Sequence, residues 1–121
     1  MGKRSDYVRV ERDFYPTPLS AVEPLIPHLP YAFCYVEPCA GDGRLVQHIT
    51  ELTEGHGECL FQSDIEPRAS HIKEADALDL DFGAYGVMDY CITNPPWGRK
   101  ILHPFIERWL NICPTWLLFD A

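Results

Sequence analysis

From Phe33 to Asp64 the chain passes from a compact apolar segment, Phe33–Pro38, through a turn holding Gly41 and Gly43 into Arg44–Leu52, and then into Glu58–Asp64. No other stretch constrains the fold as tightly. A short apolar run of this kind suits a strand buried in a sheet, and Leu45, Val46, Ile49 and Leu52 recur on one face of a helix. A strand that enters a glycine turn, becomes an amphipathic helix and returns as a strand is a βαβ unit. Such a unit needs parallel strands with the helix packed on the sheet.

The rest of the chain continues the alternation. A third short strand is expected at Ile72–Ala75, a fourth at Met88–Thr93 and a fifth at Thr115–Phe119. Between the last two, Pro104–Ile112 reads as a helix with Phe105, Ile106, Trp109 and Leu110 as its apolar stripe. Only residues 65–71 separate the second strand from the third, too few for an ordinary parallel crossover. The second crossover helix is therefore reduced to a turn, or the third strand is displaced. Upstream, Thr17 and Pro18 have the form of a helix start, with Thr17 as N-cap and Pro18 at the first helical position. Leu19, Val22, Leu25 and Ile26 follow at helical spacing, and Pro24 is expected to shorten or kink that helix so that it ends by Pro27. Residues 1–13 carry no period and read as a flexible basic arm; 14–121 form one α/β domain.

At 121 residues with 46% hydrophobic and 23% charged composition, the chain is of ordinary globular make-up with room for one core. It holds no apolar run of membrane-spanning length and no signal-peptide core, which points to the cytoplasm. Cys34, Cys39, Cys59, Cys91 and Cys113 lie scattered in apolar segments without a paired spacing, so buried reduced thiols are expected and no metal site. The net charge of −8 excludes a protein that holds nucleic acid by a general positive field. The cations are nonetheless grouped: Lys3, Arg4, Arg9 and Arg12 precede the domain, and Arg99, Lys100 and Arg108 come late.

The strand ends carry the chemistry. Glycine in the turn after Glu37 lets a ligand approach the backbone, and Asp64, at the end of the next strand, is placed to accept both hydroxyls of a ribose. Asp76 ends the third strand beside Ala77, a carboxylate and an amide for an adenine ring. A dinucleotide site would need a small residue where Val46 stands, which argues against NAD. At the end of the fourth strand is Asn94-Pro95-Pro96-Trp97. Two prolines stiffen the backbone and supply no donors, leaving the Pro95 carbonyl and the Asn94 side-chain carbonyl as acceptors for the two hydrogens of one amino group. Trp97 adds a flat face for a planar base. An aromatic amine is a poor nucleophile while its lone pair is spread into the ring, and two acceptors on its hydrogens favour a pyramidal nitrogen.

The ordered set Phe14-Tyr15-Pro16-Thr17-Pro18, Glu37-Pro38-Cys39-Ala40-Gly41-Asp42-Gly43, Asp64, Asp76 and Asn94-Pro95-Pro96-Trp97 resembles the class I methyltransferases of the amino-group type, especially small phage-encoded adenine methyltransferases. The resemblance covers residues 14–121. It implies a Rossmann-like, mostly parallel sheet of order 3-2-1-4-5 and S-adenosylmethionine as cofactor. Tyr15, Thr17, Glu37, Ala40, Gly41, Gly43, Asp64, Ile65, Asp76 and Ala77 would then bind the cofactor, and Asn94, Pro95, Pro96 and Trp97 would be catalytic. It also implies methyl transfer to the exocyclic amine of adenine in DNA, with Arg99 and Lys100 near the phosphates and the host cytoplasm as location if the chain is phage-encoded. RNA adenine and protein glutamine are the alternative targets, and an inactive remnant that binds cofactor or a partner is the alternative class. The family domain continues into an antiparallel hairpin after strand five. Here that hairpin is expected to be lacking, a C-terminally truncated catalytic domain whose strand-five edge is open to self-association or a partner.

Overall fold

The computed structural model describes residues 16–79 and 88–118; the basic arm, Phe14 and Tyr15 lie outside the described residues. Five strands, β1 (Phe33–Glu37), β2 (Gly57–Asp64), β3 (Lys73–Glu74), β4 (Tyr90–Thr93) and β5 (Thr115–Leu117), form one sheet. Its order is β3-β2-β1-β4-β5, and every neighbouring pair is parallel. Among the described residues three α-helices accompany it, α1 (Leu19–Val22), α2 (Arg44–Leu52) and α3 (Arg99–Leu110), with a 3₁₀ helix at Glu23–His28. Among the described residues no helix is long and apolar enough to cross a membrane.

Alternation along the strands divides the core between the two faces of the sheet. Phe33 and Tyr35 of β1 and Ile92 of β4 pack with Val22 of α1, Leu25 of the 3₁₀ helix and Leu45 and Ile49 of α2. Val36 and Cys91, their neighbours in sequence, pack on the other face with Phe105, Trp109 and Cys113. This is the two-residue period of a pleated strand read out as two cores.

The helices depart from expectation where proline is involved. Thr17 does not cap α1; Pro18 stands at the N-cap with extended backbone and no side chain caps the helix. Thr17 is instead drawn inward, buried, with its carbonyl accepting from His48 Nε2 of α2 at 3.0 Å. The segment does not end by Pro27 either. It tightens into the 3₁₀ helix, which has Pro24 near its start, where a missing amide costs little, and runs on through Pro27 to His28.

α3 begins at Arg99, five residues before the expected Pro104, so that proline lies inside the helix. It removes the amide that would bond to the Lys100 carbonyl, a defect of about 3 kcal/mol in a helix interior. The fully buried rings of Phe105 and Trp109 offset it, each stabilising by about 1.5–3 kcal/mol. The stripe is correspondingly turned: Phe105 and Trp109 face the core, Ile106 is half-buried and Leu110 is exposed. Between β2 and β3 no helix intervenes, and β3 is shorter than expected. The connection is a run of turns pinned by Arg68 N to the Gly41 carbonyl (2.9 Å), Ile72 N to the Ala69 carbonyl (3.2 Å) and Ala75 N to the Asp64 carbonyl (2.9 Å).

Because Pro104 is exposed and its ring makes no core, Pro104→Ala should restore the helix bond and stabilise the protein by about 1–2 kcal/mol, after allowing for the freer unfolded chain. A rise in the urea unfolding midpoint would show it; a fall would mean that the proline is needed where it stands.

Candidate functional site

Parallel strands all end on one edge of the sheet, so residues that follow them in sequence gather there. Glu37 closes β1, Asp64 closes β2, Asp76 follows β3 and Asn94 follows β4, and all four line one cavity of about 390 Å³. That volume is in the range of small-molecule and cofactor sites. Thr17, Ala40, Gly41, Ile65, Ala77 and Pro96 line it as well.

The glycine turn is tied down at several points. Gly41 and Gly43 both have positive φ, 59° and 88°, a region that side chains strongly disfavour. Ala40 N donates to the Ser63 carbonyl at 2.8 Å, Gly43 N to the Ala40 carbonyl at 2.8 Å, and Gly41 N to Asp64 Oδ2 at 2.8 Å. Asp42 Oδ1 accepts from Arg44 N at 3.0 Å and closes the first turn of α2. Gly43 itself stands outside the cavity lining. A Cβ there would sit 3.0 Å from His71 Nε2 and 3.3 Å from Gln62 Oε1, so this glycine lets α2 start close against β2 and the turns that follow it.

Asp64 holds two amides, Gly41 N on Oδ2 and Glu66 N on Oδ1, both at 2.8 Å. Each carboxylate oxygen keeps a further lone pair. Asp76 Oδ1 accepts from Leu78 N at 2.9 Å, which fixes the turn holding Ala77. Glu37 is only 1% exposed, and its Oε1 takes both Cys39 N, at 2.9 Å, and the Thr93 hydroxyl. Burial pushes its carboxyl up to about 8; the bonds from Thr93 and Cys39 pull it back, and the nearby Asp64 adds to the rise. Burial and Glu37 likewise hold the Cys39 thiol well above its ordinary range, so it is a packed thiol rather than a nucleophile.

Asn94 reaches two neighbours, Thr17 Oγ1 from Nδ2 at 3.4 Å and Trp97 Nε1 to its own Oδ1 at 3.2 Å. Trp97 is 40% exposed and, like the buried Pro95, is outside the lining. Tyr15 lies outside the described residues. Arg99 and Lys100 are exposed in the first turn of α3.

The cavity has walls that sequence reasoning did not assign. Ile101 and Phe105 line it from α3. Ile101 was hidden by the placement of the helix start at Pro104, although it precedes Phe105 by one helical turn, and that spacing was the available signal. Asp42, Glu66 and Arg68 also line the cavity, and Glu66 and Arg68 form an ion pair at 3.7 Å. Five acidic residues (Glu37, Asp42, Asp64, Glu66, Asp76) thus face one basic residue, and no histidine is among the described lining residues. A site of this kind favours a cationic ligand, disfavours phosphates, and holds no nucleophile paired with a base.

Comparison with protein-family models, with curated proteins and with solved structures finds no match to this chain.

The Glu37 carboxyl binds its proton more tightly in the folded protein than in the unfolded chain. Its contribution to stability is therefore full below pH about 4.5 and is lost as the pH rises toward about 8. Glu37→Gln keeps a neutral group of the same shape, so the variant should lose this part of the pH dependence and match or exceed the parent's stability above pH about 8. Urea unfolding across that range measures it; parallel curves for the two proteins would refute the assignment.

Proposed function

We propose that this protein is an S-adenosylmethionine-dependent methyltransferase of the Rossmann-like class I fold, acting on the exocyclic amine of adenine in nucleic acid, DNA before RNA. The observation that carries the reading is that the glycine turn, the acidic residues at or just past the ends of β1, β2 and β3, and Asn94 after β4 share one cavity.

The residues present fit the cofactor. It carries a sulfonium, an ammonium and a ribose but no phosphate, and the acidic lining suits that charge better than it suits the pyrophosphate of NAD. Thr17 would line the methionine end, and Glu37 and the turn at Gly41 would surround the cofactor's centre. Asp64, with one lone pair left on each oxygen, would accept the ribose hydroxyls while still holding Gly41 and Glu66 in place. Asp76 and Ala77 would meet the adenine, with Ile65 and the α3 side chains Ile101 and Phe105 as apolar walls. When bound, the cofactor supplies an electrophilic methyl group.

The chain's own work is then to position the amine. Asn94 Oδ1 accepts one of its hydrogens and draws the lone pair out of the ring, a contribution of orientation and electrostatics rather than proton abstraction. No base has to act before transfer, because a methylated amine is cationic and gives its proton to solvent afterwards. Arg99 and Lys100, beside Trp97 at the start of α3, would take the phosphates flanking the target. A base within a duplex would first be flipped out of the stack.

Calorimetry should detect S-adenosylmethionine binding, weakened at least about tenfold by Asp64→Ala through loss of the two ribose hydrogen bonds. Heat with NAD and none with S-adenosylmethionine would sink the reading. Asn94→Ala should keep cofactor affinity within about twofold yet lower labelled methyl incorporation into adenine about a hundredfold or more, as expected for a group that acts on the transition state. Undiminished incorporation would remove Asn94 from the chemistry.

A further inference from the structure

An asparagine side chain can present either a carbonyl or an amino group to a ligand, and turning it end for end exchanges acceptor for donor. Asn94 is engaged at both ends. Nδ2 donates to Thr17 Oγ1 at 3.4 Å, and Oδ1 accepts from the indole Nε1 of Trp97 at 3.2 Å. The two partners are unequal. A threonine hydroxyl accepts or donates and would satisfy either orientation, whereas an indole nitrogen only donates. Among the described residues, Trp97 is thus the partner that decides which end of Asn94 is the oxygen. The frame around them is firm: Thr17 is buried, and its carbonyl is held by His48 from α2 at 3.0 Å.

We propose that Trp97 is a specificity-determining residue that selects an amino-bearing ring over its oxo-bearing isostere, by locking the Asn94 side chain with its carbonyl as the fixed acceptor. This rests on the reading of Asn94 as the group that meets the target. The amide oxygen has two lone pairs; the indole takes one and the other remains for a target amine. An oxo group brought to the same place would set acceptor against acceptor, with no donor between the two oxygens. Without the indole N–H the amide can turn, the NH₂ end can face the target, and the oxo ring becomes acceptable. The role differs from stacking, which needs only a flat ring.

Trp97→Phe separates the two, since it keeps a flat ring and deletes the donor. Trp97 is 40% exposed, so the variant should fold normally. The probes are labelled single-stranded thymine oligonucleotides carrying one adenine or, at the same position, one hypoxanthine, titrated at low salt with S-adenosylhomocysteine saturating the cofactor side. The parent should prefer the adenine strand by about tenfold or more, the scale of a good base-edge contact. Trp97→Phe should bind the two strands within about threefold of each other, mainly by tightening on hypoxanthine. Retention of the parent's preference in Trp97→Phe overturns the proposal and leaves the target-site reading standing. If the parent binds neither strand better than plain thymine, the target-site reading falls and the proposal with it. A second measurement needs no ligand: the indole N–H resonance lost in Trp97→Phe should move in Asn94→Ala, and an unmoved resonance overturns the lock directly.

Discussion

The Asp64 carboxylate holds Gly41 N with one oxygen and Glu66 N with the other, and much of the site depends on that double grip. It ties the glycine turn after β1 to the end of β2 and to the turns beyond it. The Ala40–Ser63 and Arg68–Gly41 backbone bonds reinforce the same junction. With the turn so fixed, position 43 takes a φ of 88°, which favours glycine, and a Cβ there would crowd the His71 and Gln62 side chains. The geometry that shapes the cavity floor is therefore the geometry that joins the first two strands, and a ligand at Asp64 would meet a group already oriented by the fold.

A second dependence runs through the buried carboxyl of Glu37. It lies where β1 gives way to the turn, bonded to Cys39 N and to Thr93 on β4, so it couples the two central strands at the edge where the cavity opens. Burial holds it as an uncharged acid at neutral pH, although the bonds from Cys39 N and Thr93 to Oε1 favour the ionised form. Asp64 and Asp76, which are less buried, keep the cavity acidic around it.

Some elements were plain in the residues because they follow local rules. α2 spans Arg44–Leu52 as its apolar spacing requires, β1 and β2 lie within a residue of where their composition puts them, and the short β2–β3 connection could not have held a helix. The proline-bearing segments do not follow those local rules. Pro104 marked a helix start on local grounds, yet Phe105 and Trp109 bury enough surface to carry the helix through it. Thr17 has the chemistry of an N-cap, but its hydroxyl and carbonyl are taken up by Asn94 and His48, partners distant in sequence that no local pattern announces.

The sequence by itself determined the alternation of strands and helices, the turn that needs glycine, and the placement of Glu37, Asp64, Asp76 and Asn94 just at or beyond strand ends. Those are consequences of periodicity and of backbone sterics, which act over a few residues. Only the tertiary structure decided that these groups share one cavity, that Ile101 and Phe105 wall it, that Gly43 and Trp97 stand outside its lining, and that the Asn94 amide is held one way round. Each of these depends on which strands lie side by side and on which face a helix turns inward. That outcome is set by burying two apolar faces against one sheet and is written at no single position.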